Sequence, residues 1–127
     1  AARECARLLK DKGKLIICEG TPPSHRIRKD YEAIFALKED RLTFMEYDLT
    51  KLMYEAGFKD ISVHTRWLRD MSIRNWLDSS GLSKPIKDTI FNMHINSSPE
   101  FKQDYNLKIT KNDCLIDMRQ AIVTGTM

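Results

Sequence analysis

The sequence predicts an α/β domain, and three observations carry that expectation. A stripe of helical period runs into a glycine and then into the short apolar run Lys14-Leu15-Ile16-Ile17-Cys18. A second such stripe runs into Gly57 and then into an alternating run at residues 60–65, and the chain closes on another short apolar run at 121–124. Helices alternating with strands this short and apolar indicate helices flanking a small sheet, the sort of strand found where helices cover both faces.

Ala2, Cys5, Ala6 and Leu9 fall at i, i+3, i+4 and i+7, which predicts a helix over residues 1–12 with Gly13 as its left-handed C-terminal cap. The run at 14–18 is too short for a helix and reads as a strand buried on both faces. Glu19-Gly20-Thr21-Pro22-Pro23-Ser24 is a loop at the carboxyl end of that strand, since two prolines and a glycine deny both helix and ladder. Ile27, Tyr31, Ile34 and Phe35 then predict an amphipathic helix, with Ser24 as its cap. Asp48 is expected to cap the next helix, whose stripe is Leu49, Leu52, Met53 and Ala56, with Gly57 closing it and Phe58 folding back on the last turn. Ile61, Val63 and Thr65 alternate with Ser62 and His64, as in a strand with one face buried.

Beyond Met71 the pattern turns to short helices. Ser72 caps one carrying Ile73, Trp76 and Leu77 and ending at Gly81; Ser83 and Pro85 open another through Ile86, Ile90 and Met93; Ser98 and Pro99 start a third carrying Phe101 and Tyr105. The segments 114–118 and 120–124 are strand-like, and the last is apolar enough to need a sheet interior.

Composition narrows the function classes. A chain of 127 residues, 42% hydrophobic and 31% charged, suits one domain with one core. The longest compact apolar cluster, Leu15–Cys18, falls far short of the ~20 residues of a spanning helix. Twenty-one basic against eighteen acidic residues leave a net charge of +3, spread evenly along the chain, so no basic stripe points to nucleic acid. Cys5, Cys18 and Cys114 are odd in number and widely spaced, which argues against a disulfide scaffold or a zinc site and for a reducing, cytoplasmic home. Cys5, on a helical stripe, and Cys18, in the apolar strand, read as inert buried thiols.

In this order the elements resemble the C-terminal half of the class I S-adenosylmethionine-dependent methyltransferases. Leu8-Leu9-Lys10-Asp11-Lys12-Gly13-Lys14-Leu15-Ile16-Ile17 matches the family's fifth strand and the helix before it. Asp48 to Val63, reading D-L-T-K-L-M-Y-E-A-G-F-K-D-I-S-V, matches its next helix and sixth strand. The resemblance implies a partial Rossmann-like sheet over 1–127, an antiparallel terminal strand from Ala121 to Thr124, and a helical insertion at about 72–106. It implies methyl transfer from S-adenosylmethionine to a small-molecule acceptor. The family's glycine-rich cofactor turn and the acidic ribose partner have no counterpart here: of the five glycines, none forms G-x-G. The expectation is therefore a chain that supplies acceptor-side walls and is inactive in isolation, a piece of something longer, and one that dimerises through the edge of the strand at 14–18. The alternative is a non-catalytic interaction module pairing through that edge.

Candidate acceptor-binding residues follow from position. Glu19, His25 and Arg26 lie at or after the carboxyl end of the first strand, where doubly wound sheets bind ligands, with Arg28 close behind. Arg66 and Trp67 end the second strand, where a guanidinium and an aromatic ring can close over a substrate. His94, on the helix from Pro85, completes the set. Each has a plain alternative: solvated residues at a helix start, a capping Glu, a core Trp beside a surface Arg, a structural histidine. No metal or nucleophile motif appears.

Overall fold

Four strands and six helices build the chain, and the computed structural model describes residues 1–127. Helix α1 (Ala2–Leu8) leads to β1 (Lys14–Thr21); a 3-10 turn at His25–Ile27 leads to α2 (Arg28–Lys38); α3 (Glu46–Glu55) precedes β2 (Lys59–Ser72). Then come α4 (Ile73–Asp78), α5 (Lys84–Ile95), α6 (Pro99–Asp104), the two-residue β3 (Lys108–Ile109) and β4 (Cys114–Thr126). The sheet order is β1-β4-β2, with β3 paired to β4. β1 runs antiparallel to β4, in register from Lys14 opposite Thr126 to Thr21 opposite Arg119. The last strand thus enters the sheet between two others, as its apolar alternation demands.

The chain resolves into two compact units. The first comprises residues 1–21, 44–66 and 119–127. Its core is Leu49, Met53, Phe58, Ala121 and Val123, with Ala6, Leu9, Leu15 and Ile17 packed against them. Burying a side chain of this size stabilises by roughly 1.5–3 kcal/mol. Gly125 matters here for what it lacks: a Cβ would stand 2.6 Å from Met53 Cε and 3.0 Å from Phe58 Cβ. The second unit comprises 22–43 and 67–118. It is mainly helical around Ile27, Tyr31, Ile34, Ile73, Leu77, Ile90, Phe101, Tyr105, Cys114 and Ile116.

Several local expectations meet a correction. β1 is covered on one face only: Leu15 and Ile17 join the core while Ile16, 64% exposed, and Cys18 alternate outward. An unbroken apolar run cannot reveal which of its faces is covered, because every residue reads alike. α1 stops at Leu8, and the left-handed residue in the following turn is Lys12 (φ 65°), not Gly13. Gly13 is needed for close approach instead, since its Cβ would meet Lys10 O at 2.8 Å. Asp48 sits one turn inside α3 and holds the helix start from there, accepting from Met45 N–H at 2.9 Å. Ser24 makes no cap bond; its hydroxyl donates to Asp104. The caps at Ser72 and Ser98 form as expected, accepting from Asn75 N–H and Phe101 N–H, and Gly57 takes the left-handed cap (φ 94°). β2 runs on to Ser72, well past residue 65.

Candidate functional site

The second unit holds an open concavity with several polar side chains along it. Helices α2 and α5 pack together, and with the start of α6 they enclose a groove of about 550 Å³ lined by Asp30, Ile34, Thr89, Asn92, Asn96 and Ser98, with Ala33, Met93, Ser97 and Phe101. Helical spacing puts Thr89, Asn92 and Asn96 on one side of α5, while Ile90 and His94 face the core. A second hollow of about 570 Å³ lies between α2 and residues 39–43. Four of its five charged side chains are already paired: Arg28 with Glu32 and Thr43 O, and Arg41 with Glu39. The first groove is therefore the better candidate for a ligand.

Behind the groove stands a chain of rings. Tyr31 stacks on Phe35 at 4.5 Å between centroids, and the series continues through Trp76, His94, Phe101 and Tyr105 at 5.6, 6.4, 5.7 and 4.6 Å. Edge-to-face and offset pairs of this kind fix ring orientation. His94, 2% exposed, lies in mid-series, its Nδ1 2.8 Å from Ile90 O. Burial holds its pKa below the ordinary histidine value, against a smaller upward pull from the Ile90 carbonyl, so the ring is neutral at physiological pH. Burial likewise pushes the Tyr105 hydroxyl well above its usual range and the Cys114 thiol up to about 11. These are packing groups with their protons on.

The residues singled out in the sequence fall in separate places. Glu19 is half-buried near the end of β1 and Arg66 is exposed on β2, both in the first unit. His25, Arg26, Trp67 and His94 belong to the second. Arg26 is engaged: its guanidinium donates to both Asp104 oxygens at 2.7 Å and to Gln103 at 3.1 Å. The Arg26 bond, helped by Ser24, holds the Asp104 carboxyl below its usual range, and together they tie the 3-10 turn to α6. Trp67 carries the Arg69 guanidinium over its ring at 5.5 Å. Sequence reasoning missed Asp30, Asn92 and Asn96. The signal for the two asparagines was a polar side on amphipathic α5, and Asp30 on α2 joins them only once the two helices are known to face each other.

Asp117 was also missed. It is 1% exposed on β4, yet its carboxylate accepts from Asp70 N–H (3.0 Å), Arg69 Nη1 (2.7 Å) and Asn106 Nδ2 (3.1 Å). Burial works to raise its pKa, but these three donors outweigh it and the carboxyl titrates below its usual range. Asp70 and Asn106 are both left-handed (φ 53° and 50°), so the carboxylate locks two strained residues.

Compared by sequence, the chain matches no protein-family model and no curated protein. Solved structures do match. A provisionally assigned methyltransferase of Bacillus halodurans superposes with a TM-score of 0.76 at 16% identity, over 98% of this chain and 60% of that one. The YcgJ protein of Bacillus subtilis superposes at 0.84 and 13%, over 98% and 55%. The chain has a class I methyltransferase-like fold. It spans 60% and 55% of the lengths of those two structures, consistent with a partial Rossmann-like domain. No helix in this methyltransferase-like fold is long and apolar enough to cross a membrane.

The glycines of this chain bear on the cofactor that the fold implies. Gly13 and Gly125 make room for neighbouring chain atoms, Gly57 and Gly81 lie in left-handed turns after helices, and Gly20 is inside β1. None follows a strand and opens a helix, which is where a glycine lets backbone approach a nucleotide. The residues present do not fit an S-adenosylmethionine cradle.

Proposed function

We propose that the intact protein transfers a methyl group from S-adenosylmethionine to a small-molecule acceptor, and that this chain supplies the acceptor-side part. The observation that carries the reading is the methyltransferase-like arrangement of α1-β1, α3-β2 and a last strand inserted between β1 and β2, combined with a helical unit bearing an open, polar-lined groove. The chain's own contribution is to bind the acceptor, orient it and shield it from water, the positioning on which an in-line displacement depends. Of the sequence-derived candidates Glu19, His25, Arg26, Arg66, Trp67 and His94, those to test for a part in acceptor binding are Glu19, His25, Arg66 and Trp67, since Arg26 is held by Asp104 and His94 is buried. Three free cysteines support a cytoplasmic setting.

The decisive experiment is transfer of labelled methyl from S-adenosylmethionine by the complete gene product to extracted small molecules. A labelled product supports the reading; a gene product that does not bind the cofactor overturns it. The 127-residue chain alone should bind S-adenosylmethionine more weakly than ~100 µM, about −5.5 kcal/mol, by isothermal titration. Tighter binding refutes the assignment of this chain to the acceptor side.

One observation favours a second reading, a non-catalytic module that pairs with another chain. β1 ends the strand order, and its outward-facing Ile16 is bare. Edge strands of this kind recruit partners, and a two-fold dimer through β1 follows. Sedimentation equilibrium separates the outcomes: a dimer supports edge pairing, and a monomer of 14.8 kDa across the micromolar range removes it.

A further inference from the structure

We propose that the groove between α2, α5 and α6 binds an organic ammonium compound, a protonated amine carried on an apolar body. The lining has one ionisable group, the Asp30 carboxylate, and no cation. Two of its three hydroxyls have spent their protons inward, while Ser98 Oγ accepts from Phe101 N–H and keeps its own. Thr89 Oγ1 donates to Pro85 O at 2.9 Å and Ser97 Oγ to His94 O at 2.6 Å, so each has only lone pairs left to offer. Asn92 and Asn96 can turn either end of their carboxamides toward a ligand. The apolar part of the lining is Ile34, Met93 and Phe101, with Ile34 and Phe101 fully packed behind.

A surface rich in acceptors and carrying one negative charge is matched by a group with several donors and one positive charge. An ammonium is that group, having three N–H donors and no acceptor. A carboxylate or phosphate would face Asp30 and the Thr89 and Ser97 lone pairs without a compensating cation, which penalises it. The volume of about 550 Å³ lies within the range of small-molecule sites and leaves room for an apolar body beside the amine. This deepens the acceptor-side reading by naming the acceptor's class, but binding itself needs no methyl donor.

The test is amide-resolved titration of the 127-residue chain with three probes of one shape: benzylamine, benzyl alcohol and benzoate. Benzylamine is expected to shift the Asn92 and Asn96 side-chain amide signals saturably, with a dissociation constant of a few millimolar, on the order expected for a ligand of so few atoms. Benzyl alcohol should bind about fivefold more weakly, the size of one exposed charge pair, and benzoate should not saturate. Asp30→Asn should cost the amine the same factor of about five and leave benzyl alcohol unchanged. Glu32→Gln, which removes a like charge from α2 outside this groove, should alter neither. Equal binding of amine and alcohol, saturation by benzoate, no saturation by benzylamine, or an Asp30→Asn variant that binds amine as the parent does would each overturn the proposal. Amine binding without methyl transfer by the complete gene product would sink the methyltransferase reading alone. Methylation of a non-amine with no amine binding would sink this inference alone.

Discussion

Replacing Asp117 with Asn tests whether a buried carboxylate organises the second unit. The side chains have nearly the same shape, so packing is preserved and the change falls on hydrogen bonding. The carboxylate now serves three donors: Asp70 N–H on Oδ1, and Arg69 Nη1 with Asn106 Nδ2 on Oδ2. A carboxamide has one oxygen. With that oxygen toward Asp70, its NH₂ faces the Arg69 and Asn106 donors; turned over, it faces the Asp70 N–H. Either orientation strands at least one donor at a buried site, at about 1–3 kcal/mol. Arg69 is largely exposed, so losing its ion pair adds at most about 1 kcal/mol. The expected loss is about 3 kcal/mol, a large part of a marginal stability. In urea, with a slope of about 1–3 kcal/mol/M, the midpoint should fall by roughly 1–3 M at neutral pH.

The pH dependence gives an independent check. The folded-state pKa of Asp117 is depressed. Its stabilisation is therefore fully present above the unfolded aspartate value, near ~3.9, and is lost as pH falls through the lower folded value. The stability gap between parent and Asp117→Asn should stay level from neutral pH down to about 5 and close progressively below that. A neutral-pH loss under about 0.5 kcal/mol, or a gap that persists unchanged through acid, would refute the reasoning.

Gly125→Ala should destabilise the first unit by about 1–3 kcal/mol, because the new methyl lands 2.6 Å from Met53 Cε and 3.0 Å from Phe58 Cβ; urea unfolding measures it, and combined with Met53→Ala the two losses should be less than additive. Ser98→Ala removes the cap on Phe101 N–H and should lower stability by about 1 kcal/mol, read as a lower thermal midpoint, with Ser98→Asp retaining most of the parent's stability.

Much of the helical framework was written locally. Ser72, Ser98 and Gly57 punctuate helices through side-chain oxygens or backbone freedom that act within three or four residues, so their roles could be read from spacing alone. The alternation of helical stripe and apolar strand, with the motifs at 8–17 and 48–63, indicated the α/β class and the methyltransferase-like fold that structural similarity then showed. Tertiary structure decided what depends on partners distant in sequence. Which face of β1 is covered followed from where α1 and α3 lie, and a run in which every residue is apolar holds no record of that choice. Arg26 looked free for a ligand until its carboxylate partner proved to be Asp104, 78 residues away. His94 seemed to sit beside the buried stripe of α5, yet the rings of Trp76 and Phe101 draw it into the core and burial keeps it neutral. Asp117 read as one polar residue in a final strand. Only the fold collects Arg69, Asp70 and Asn106 around it, because a buried charge is tolerated where several donors converge, and convergence from three segments is a property of the folded chain alone.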